Sequence, residues 1–290
     1  TNSLLVGTDS TGTLNSAENN TGVGTGVFAA LTSGDLNTAV GLDSLKANTT
    51  GEQNTAYGAC SLNANTTGSR NVAFGRHALD TNVSGNSNTA IGDQSLFANT
   101  ASNNTALGFY SMADNTSGAS NTSVGINALS NNTTANDNTA VGANALLTNT
   151  TGTRNTGIGT CALNANTTAS NNVAVGFCAL DTNQTGTANV AVGSNALGVN
   201  TASNNTAVGR EALGANTSGC FNTALGASTL LVNQTGICNV AIGASALRCN
   251  TASNNIAVGM QPLYYNTSGI QNTAIGTKAL FCNTTANNNT

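Results

Sequence analysis

The residues of this chain with the clearest chemical signature are asparagines followed two positions later by serine or threonine. That pattern is the acceptor for N-linked glycosylation, in which the side-chain nitrogen carries the sugar. An asparagine recurs at this place in fifteen units of the sequence, and twelve of them complete the pattern. The candidates for glycosylation are Asn48, Asn65, Asn82, Asn115, Asn132, Asn149, Asn166, Asn183, Asn216, Asn233, Asn266 and Asn283. A second interpretation also stays open, namely that Asn-Thr suits a tight turn through its own side-chain hydrogen bonds.

The pattern fails only in three units that are one residue short, where Asn99, Asn200 and Asn250 are followed by Thr-Ala. In two of these units a new acceptor appears nearby, at Asn103 and Asn204. Because the pattern changes together with the length of the unit, the turn that contains it has a role of its own. Full occupancy would place a sugar about every 4.8 Å along one edge of the stacked units.

The cysteines and the single histidine offer little further chemistry. Cys161 and Cys178 occupy the same place in successive units, so stacking would bring their Cα atoms to about 5 Å, within range of a disulfide. His77 would lie above Cys60, but two unlike ligands do not make a metal site. The acidic residues are spread over different places, with no obvious pair for glycoside hydrolysis. The sequence therefore predicts no enzymatic activity, no metal and no cofactor.

These residues are positioned by a short repeat. Asn-Thr-Ala-Val-Gly at 37–41 recurs at 54–58 and onward to 272–276, and its final glycine, the coil glycine, advances in steps of 17 residues with three steps of 16. A repeat this short and regular is typical of a solenoid, in which each unit stacks on the next.

The unit itself predicts two strands. Thr38 and Val40 flank Ala39, and alternate residues of an extended segment face opposite sides. Leu45, four residues beyond the coil glycine, indicates a second short strand. We expect the β-branched side chains and the leucine to fill the interior and the alanine to face outward. The fold class is therefore all-β: a parallel β-solenoid (β-roll) with two short strands per 16–17-residue turn and about seventeen turns.

Each unit opens with an asparagine, which we call the opening asparagine. Repeated buried amides must be paired, and stacking provides each one with partners above and below. The sequence therefore predicts an amide ladder along Asn37, Asn54, Asn71, Asn88, Asn104, Asn121, Asn138, Asn155, Asn172, Asn189, Asn205, Asn222, Asn239, Asn255 and Asn272.

Composition limits the partners. Charged residues make up 6% of the chain, aromatic residues 4%, and the seven basic residues all fall at variable positions of the unit without forming a stripe. We therefore expect no nucleic acid as partner, and no apolar run is long enough to span a membrane. The sequence also predicts how the chain is organised: residues 1–34 are degenerate first repeats and 35–290 are regular repeats of one continuous solenoid. Both ends look cut from a longer chain, which leaves room for a signal peptide or an anchor elsewhere.

The alanines carry an expectation about assembly. If they face outward, solvent gives no reason for a small apolar residue at every unit, so another surface must pack closely against them. A copy of the same chain is the simplest candidate, and a bundle around a shared axis, with a trimer favoured, is the expected arrangement. End-to-end association into a fibre is the other form of self-association.

The unit Asn-Thr-Ala-Val-Gly-x-x-Ala-Leu resembles the head repeats of trimeric autotransporter adhesins, the YadA-like heads. It is also similar to repeats of bacterial surface proteins and phage tail fibres. The resemblance covers residues 20 to 276 and implies a left-handed parallel β-roll, three chains side by side, a place outside the cell or on a cell or virion surface, and adhesive or fibre-forming roles. The present unit is longer than the family's usual one by its Asn-Thr-Thr-Gly turn.

Together these features predict a non-enzymatic extracellular structural fibre or adhesin shaft, built from stacked repeats and coated with glycans. The alternative is a receptor-binding head or tail-fibre module that engages a host sugar or protein. A binding module would concentrate aromatic and charged residues on one exposed patch, and the candidates for such patches are Phe109, Tyr110, Tyr264, Tyr265 and Phe281.

Overall fold

The computed structural model of the chain describes residues 3–7 and 16–290. These residues form a parallel β-solenoid of seventeen three-residue strands, with no helix among them, which confirms the predicted fold class. Contacts between Cα atoms divide the chain into two compact units, residues 1–151 and 152–290. From here on, the first unit and the second unit are these two parts, and each 16–17-residue repeat is called a coil. Of the predicted degenerate repeats at 1–34, residues 1, 2 and 8–15 lie outside the described residues.

Within each unit, every strand pairs in parallel with the next strand along the chain, residue for residue; Ala39, for example, pairs with Ala56. The strands of the first unit are β1 (Leu4–Val6), β2 (Thr21–Val23), β3 (Thr38–Val40), β4 (Thr55–Tyr57), β5 (Val72–Phe74), β6 (Thr89–Ile91), β7 (Thr105–Leu107), β8 (Thr122–Val124) and β9 (Thr139–Val141). Those of the second unit are β10 (Thr156–Ile158), β11 (Val173–Val175), β12 (Val190–Val192), β13 (Thr206–Val208), β14 (Thr223–Leu225), β15 (Val240–Ile242), β16 (Ile256–Val258) and β17 (Thr273–Ile275).

Each coil contains one strand, so the prediction of two strands per turn is wrong. The segment that carries the core leucine is a run of turns, in which Asp43 and Leu45 adopt left-handed backbone with φ of 55° and 48°. This segment still bonds to its neighbours: the Leu45 N–H donates to the Ser61 carbonyl at 3.0 Å. Turns and strands repeat with the same period when coils stack, so the spacing of the leucines could not distinguish between them.

The expected assignment of the strand faces is also wrong. Ala39 and Ala56 are fully buried, whereas Tyr57 and Phe74 are half exposed. The predicted alternation is present, but its inner and outer sets are exchanged. One consequence is that the outward alanines, on which the expectation of a trimer was based, do not exist.

The thinness of the coil explains this exchange. A single short strand closes onto the leucine-bearing turn, and once the leucine occupies the interior only a methyl group fits opposite it. The coil that begins at β2 shows this limit, because Phe28 there takes the place of the leucine and Gly22 that of the alanine. A Cβ added to Gly22 would lie 3.0 Å from the Phe28 ring. Larger β-branched side chains are therefore directed outward.

The coil glycine is required by close stacking of backbones. Gly75 has φ of 140°, and a Cβ added to it would lie 2.5 Å from the Gly92 carbonyl oxygen of the next coil. This atom belongs to the backbone and cannot rotate away. Gly68, in the turn of the same coil, has no positive φ, although a Cβ added to it would also lie 2.5 Å from a backbone oxygen, that of Gly85; Ala135 at the equivalent position of another coil shows that this turn can accommodate a methyl group. At the coil glycine, left-handed backbone and a close backbone contact oppose a side chain together.

We predict that Gly75→Ala destabilises the protein by about 2 kcal/mol or more, because left-handed strain and the contact with the next coil both oppose it. Gly198→Ala is the control, because Gly198 has no positive φ and a Cβ there comes no closer than 3.4 Å to another atom; it should change the free energy of unfolding by less than about 1 kcal/mol. Chemical unfolding followed by circular dichroism measures both. Equal losses in the two variants would contradict the stated role of the coil glycine.

Candidate asparagine ladders and the variable edge

The opening asparagines form continuous hydrogen-bonded arrays within each unit. The Asn71 side-chain oxygen accepts from the backbone N–H of Asn88 at 3.0 Å and from its Nδ2 at 3.1 Å. Its own Nδ2 donates to the Asn54 side-chain oxygen at 3.2 Å and to the Gly85 carbonyl at 2.8 Å. A primary amide has two donors and two acceptor positions, so Asn71 is fully satisfied although it is fully buried. These are the hydrogen bonds that an amide ladder requires.

The asparagines of the turn form a second array, which the sequence did not predict. The Asn65 Nδ2 donates to the Gly68 carbonyl at 2.9 Å and to the Asn48 side-chain oxygen at 2.8 Å. The Asn65 oxygen in turn accepts from the Asn82 Nδ2 at 3.0 Å. We call Asn65 and its equivalents the turn asparagines. The sequence does contain an indication of this array: an asparagine occupies this position in fifteen successive repeats. Glycosylation of a solvent-exposed surface would not require the residue in every repeat.

The turn asparagines are the same residues that were proposed as glycosylation sites. Eleven of the twelve candidates are fully buried: Asn48, Asn65, Asn82, Asn115, Asn132, Asn149, Asn166, Asn183, Asn216, Asn233 and Asn266. The twelfth, Asn283, is half-buried and donates to Asn266 at 2.9 Å. A sugar attached to Nδ2 would need that atom to be exposed, so the burial disfavours glycosylation at these residues, which stays a prediction.

The three short coils interrupt the second array. In the short coil at Asn200, Nδ2 donates to the Ala202 carbonyl, two residues ahead rather than three, at 2.7 Å. This displacement leaves the side-chain oxygens of Asn183 and Asn233, each in the coil before a short one, buried without a partner. At the remaining short coil the Asn99 Nδ2 lies 3.5 Å from the Asn82 oxygen. A coil that is one residue shorter therefore either loses the hydrogen bond between turn asparagines or forms it at a longer distance.

Chemically varied side chains occur, among other places, at positions two, five and six residues after the coil glycine, which we call the edge positions. Asp43 and Lys46 form an ion pair there at 3.3 Å, and Nδ1 of His77 is hydrogen-bonded to Asp80 at 2.8 Å. Across the whole surface, Arg248 is half-buried and the other six basic residues are exposed. The expectation that basic residues point outward is confirmed.

The cysteines do not build a site. All seven are free thiols, so the predicted bridge between Cys161 and Cys178 is not formed, although the two side chains are hydrogen-bonded neighbours. Burial raises the pKa of the Cys178 thiol, followed by the charge of Asp181 and the contact with Cys161. The thiol is therefore held in its neutral form. Within residues 3–7 and 16–290, no three His, Cys, Asp or Glu side chains gather as metal ligands.

One group of edge residues does form a patch. The rings of Tyr264, Tyr265 and Phe281 pack against one another with centroids 4.8 to 5.4 Å apart. Arg248 lies 5.8 Å from the Tyr264 ring and Lys278 lies 5.5 Å from the Phe281 ring. Tyr265 is exposed. We call these five residues the aromatic cluster.

No protein-family model matches the chain, and no curated protein matches it. The resemblance to adhesin head repeats therefore stays a prediction. In the part of the chain that the structure describes, no helix has the length and apolar character needed to cross a membrane.

Glycopeptide mass spectrometry of native material should find turn asparagines such as Asn65 and Asn149 without sugar, because their Nδ2 atoms are buried and hydrogen-bonded. Asn103 and Asn204 are the internal controls: both are followed by Asn-Thr and both are exposed. Any glycan found should lie at such exposed positions. A glycan on Asn65 in the folded protein would contradict the second ladder.

Proposed function

We propose that the chain is a non-enzymatic structural segment, a fibre or adhesin shaft, in which copies of the chain associate side by side. The observation that carries this proposal is the outward face of the strands, here called the strand face. It consists of the first and third residues of each strand. Along β1–β17 these residues are threonine, aliphatic or aromatic, and none is charged.

The strand face differs from the rest of the surface. In the first unit, Tyr57, Phe74, Ile91 and Leu107 follow one another on successive strands, with exposed fractions between 38% and 51%. The rings of Tyr57 and Phe74 are stacked at 4.8 Å. The charged side chains lie at other positions of the coil. A contiguous apolar patch of this kind is typical of a surface that another molecule covers.

The period of the strand face favours a second copy as that molecule. Successive strands of a sheet are about 4.8 Å apart, so a partner matches the face over many coils only if it repeats at the same spacing. A copy related by rotation about an axis parallel to the stack meets this condition automatically. Closed cyclic symmetry of this type is the common form of homo-oligomer, and a trimer is the arrangement that the resemblance implies.

The location is part of the same proposal. The resemblance to adhesin and tail-fibre repeats supports a place outside the cell or on a cell or virion surface. Glycans, if the chain carries them, would be attached at exposed acceptors such as Asn103 and Asn204 rather than along the turn ladder. The surface of the described residues repeats from coil to coil, which supports a role along that surface rather than in a single catalytic pocket.

A second candidate is a receptor-binding module, and the aromatic cluster favours it. Flat rings beside Arg248 and Lys278 can stack on a sugar ring and donate hydrogen bonds to its hydroxyl groups. Unlike the strand face, this patch occurs at one place in the second unit. The two candidates are compatible if a shaft carries a local binding patch.

Sedimentation velocity tests self-association. We expect the full chain to sediment as a homo-oligomer and Phe74→Lys/Ile91→Lys to dissociate it, because two charges would be buried in an apolar contact. The matched control is Ala59→Lys/Asn63→Lys, which adds the same charge at positions where other coils carry Arg76 and Lys46. The control should remain oligomeric, and circular dichroism should show both variants folded.

A wild-type chain that sediments as a monomer over the micromolar range would contradict self-association through the strand face. In that case, binding to a glycan array that is lost in Tyr265→Ala would favour the receptor-binding candidate instead.

A further inference from the structure

The second unit contains a cavity of about 520 Å³ that interrupts the row of edge side chains. Its centre is formed by Gly198 and Gly214, which occupy the position five residues after the coil glycine in two successive coils. The flanking coils place Asp181 at one end of this row and Leu231 at the other. We call this cavity the notch.

The backbone does not require glycine at either position. Neither Gly198 nor Gly214 has a positive φ, and a Cβ added to Gly198 would come no closer than 3.4 Å to another atom, an ordinary contact. A Cβ on Gly214 would lie 3.2 Å from the Glu211 carbonyl and from a methyl group of the Leu231 side chain. Other coils carry side chains as large as Leu147 and Phe97 at this position. The effect of the two glycines is therefore the open space itself.

The walls of the notch are mainly apolar. Val199, Ala215, Leu231 and Val232 line it. Cys178 contributes a thiol that stays neutral, because burial raises its pKa. Apolar walls with a few polar groups are typical of small-molecule sites, and a volume of this size lies within their usual range.

The charges around the notch are unequal. Glu211 is paired with Arg210 at 2.9 Å and accepts a hydrogen bond from Ser228 at 3.3 Å. Asp181 has no such cation: the ion pairs found among the described residues do not include it. Burial raises the pKa of the Asp181 carboxyl, which reflects a partly desolvated carboxylate without a compensating positive charge. The notch therefore has one unbalanced negative charge at the end of an apolar space.

We propose that the notch is a binding site for a small organic cation, with its apolar body between Val199 and Leu231 and its ammonium group on the Asp181 carboxylate. Such a ligand would supply both things that the notch lacks, apolar contact in the gap left by the two glycines and positive charge beside Asp181. This site would be local to the second unit and separate from the strand face.

The test uses the full chain and 2-phenylethylammonium as the probe, with binding followed by chemical shifts of the amides around Gly198. The neutral analogue 2-phenylethanol and the anionic analogue 3-phenylpropanoate have similar apolar bodies. The cation should bind saturably and at least about tenfold more tightly than the neutral analogue, corresponding to about 1.4 kcal/mol for the charge pair. The anion should bind more weakly still.

Each variant introduces a residue that another coil carries at the same position, five residues after its coil glycine. Asp181→Asn places there the residue found at Asn63 and Asn164, and should weaken cation binding about tenfold while leaving the neutral analogue unchanged. Gly198→Leu places there the residue found at Leu147, and should abolish binding of both by filling the gap. The matched controls are Asp80→Asn and Asn63→Leu, made at the same position of other coils; both should bind as the wild type does.

Three results would overturn the proposal: no saturable binding of the cation by the wild-type chain, equal affinity for cation and anion, or unchanged affinity in a folded Gly198→Leu variant. None of these results depends on whether the chain is a monomer or an oligomer, so the site and the proposed function are tested separately.

Discussion

Each regular coil from Asn37 to Asn266 buries two primary amides, and no single coil can satisfy them by itself. Asn71 completes its four hydrogen bonds only with Asn54 on one side and Asn88 on the other. An unpaired buried amide group costs about 1–3 kcal/mol, which makes an identical neighbour a condition for burying the residue. The order of the chain thus rests on repetition itself, and a coil whose turn is shorter leaves its neighbour's amide oxygen without a partner, as at Asn183.

The same dependence sets the thickness of the coil. The backbones of successive coils approach so closely at Gly75 and Gly92 that no side chain fits between them. The interior of a regular coil then accommodates one leucine and two small residues, such as Leu79 with Ala73 and Ala78, together with the two asparagines. In the regular coils, the β-branched and aromatic residues of the strands have no place inside and lie along the strand face. An apolar outer surface is in this way a direct consequence of a thin polar interior, and it is the physical link between the fold and the proposed association of chains.

Much of this architecture could be predicted from the sequence. The constant step between coil glycines indicated a solenoid, the alternation around Ala39 indicated a strand, and the invariant opening asparagine indicated an amide ladder. The side of the strand that faces inward could not be predicted, because hydrophobicity favours Val40 over Ala39 and only the closed coil shows that the larger residue does not fit. The Leu45 segment was mistaken for a strand because stacked turns and stacked strands repeat identically. The notch at Gly198 and Gly214 depends on which side chains line up across coils, and that required the three-dimensional register.

The turn asparagines show how one sequence pattern can arise from two causes. Asn-Thr-Thr matches a glycosylation acceptor, but Asn65 is invariant because its amide joins three coils through bonds to Asn48 and Asn82 and closes its own turn on Gly68. The most direct measurement of this account is hydrogen exchange of the asparagine side-chain amides by nuclear magnetic resonance. The Nδ2 protons of Asn65 and Asn71 should exchange orders of magnitude more slowly than those of the exposed Asn103 and Asn204. Equally fast exchange at all four residues would show that the ladders do not hold the coils together.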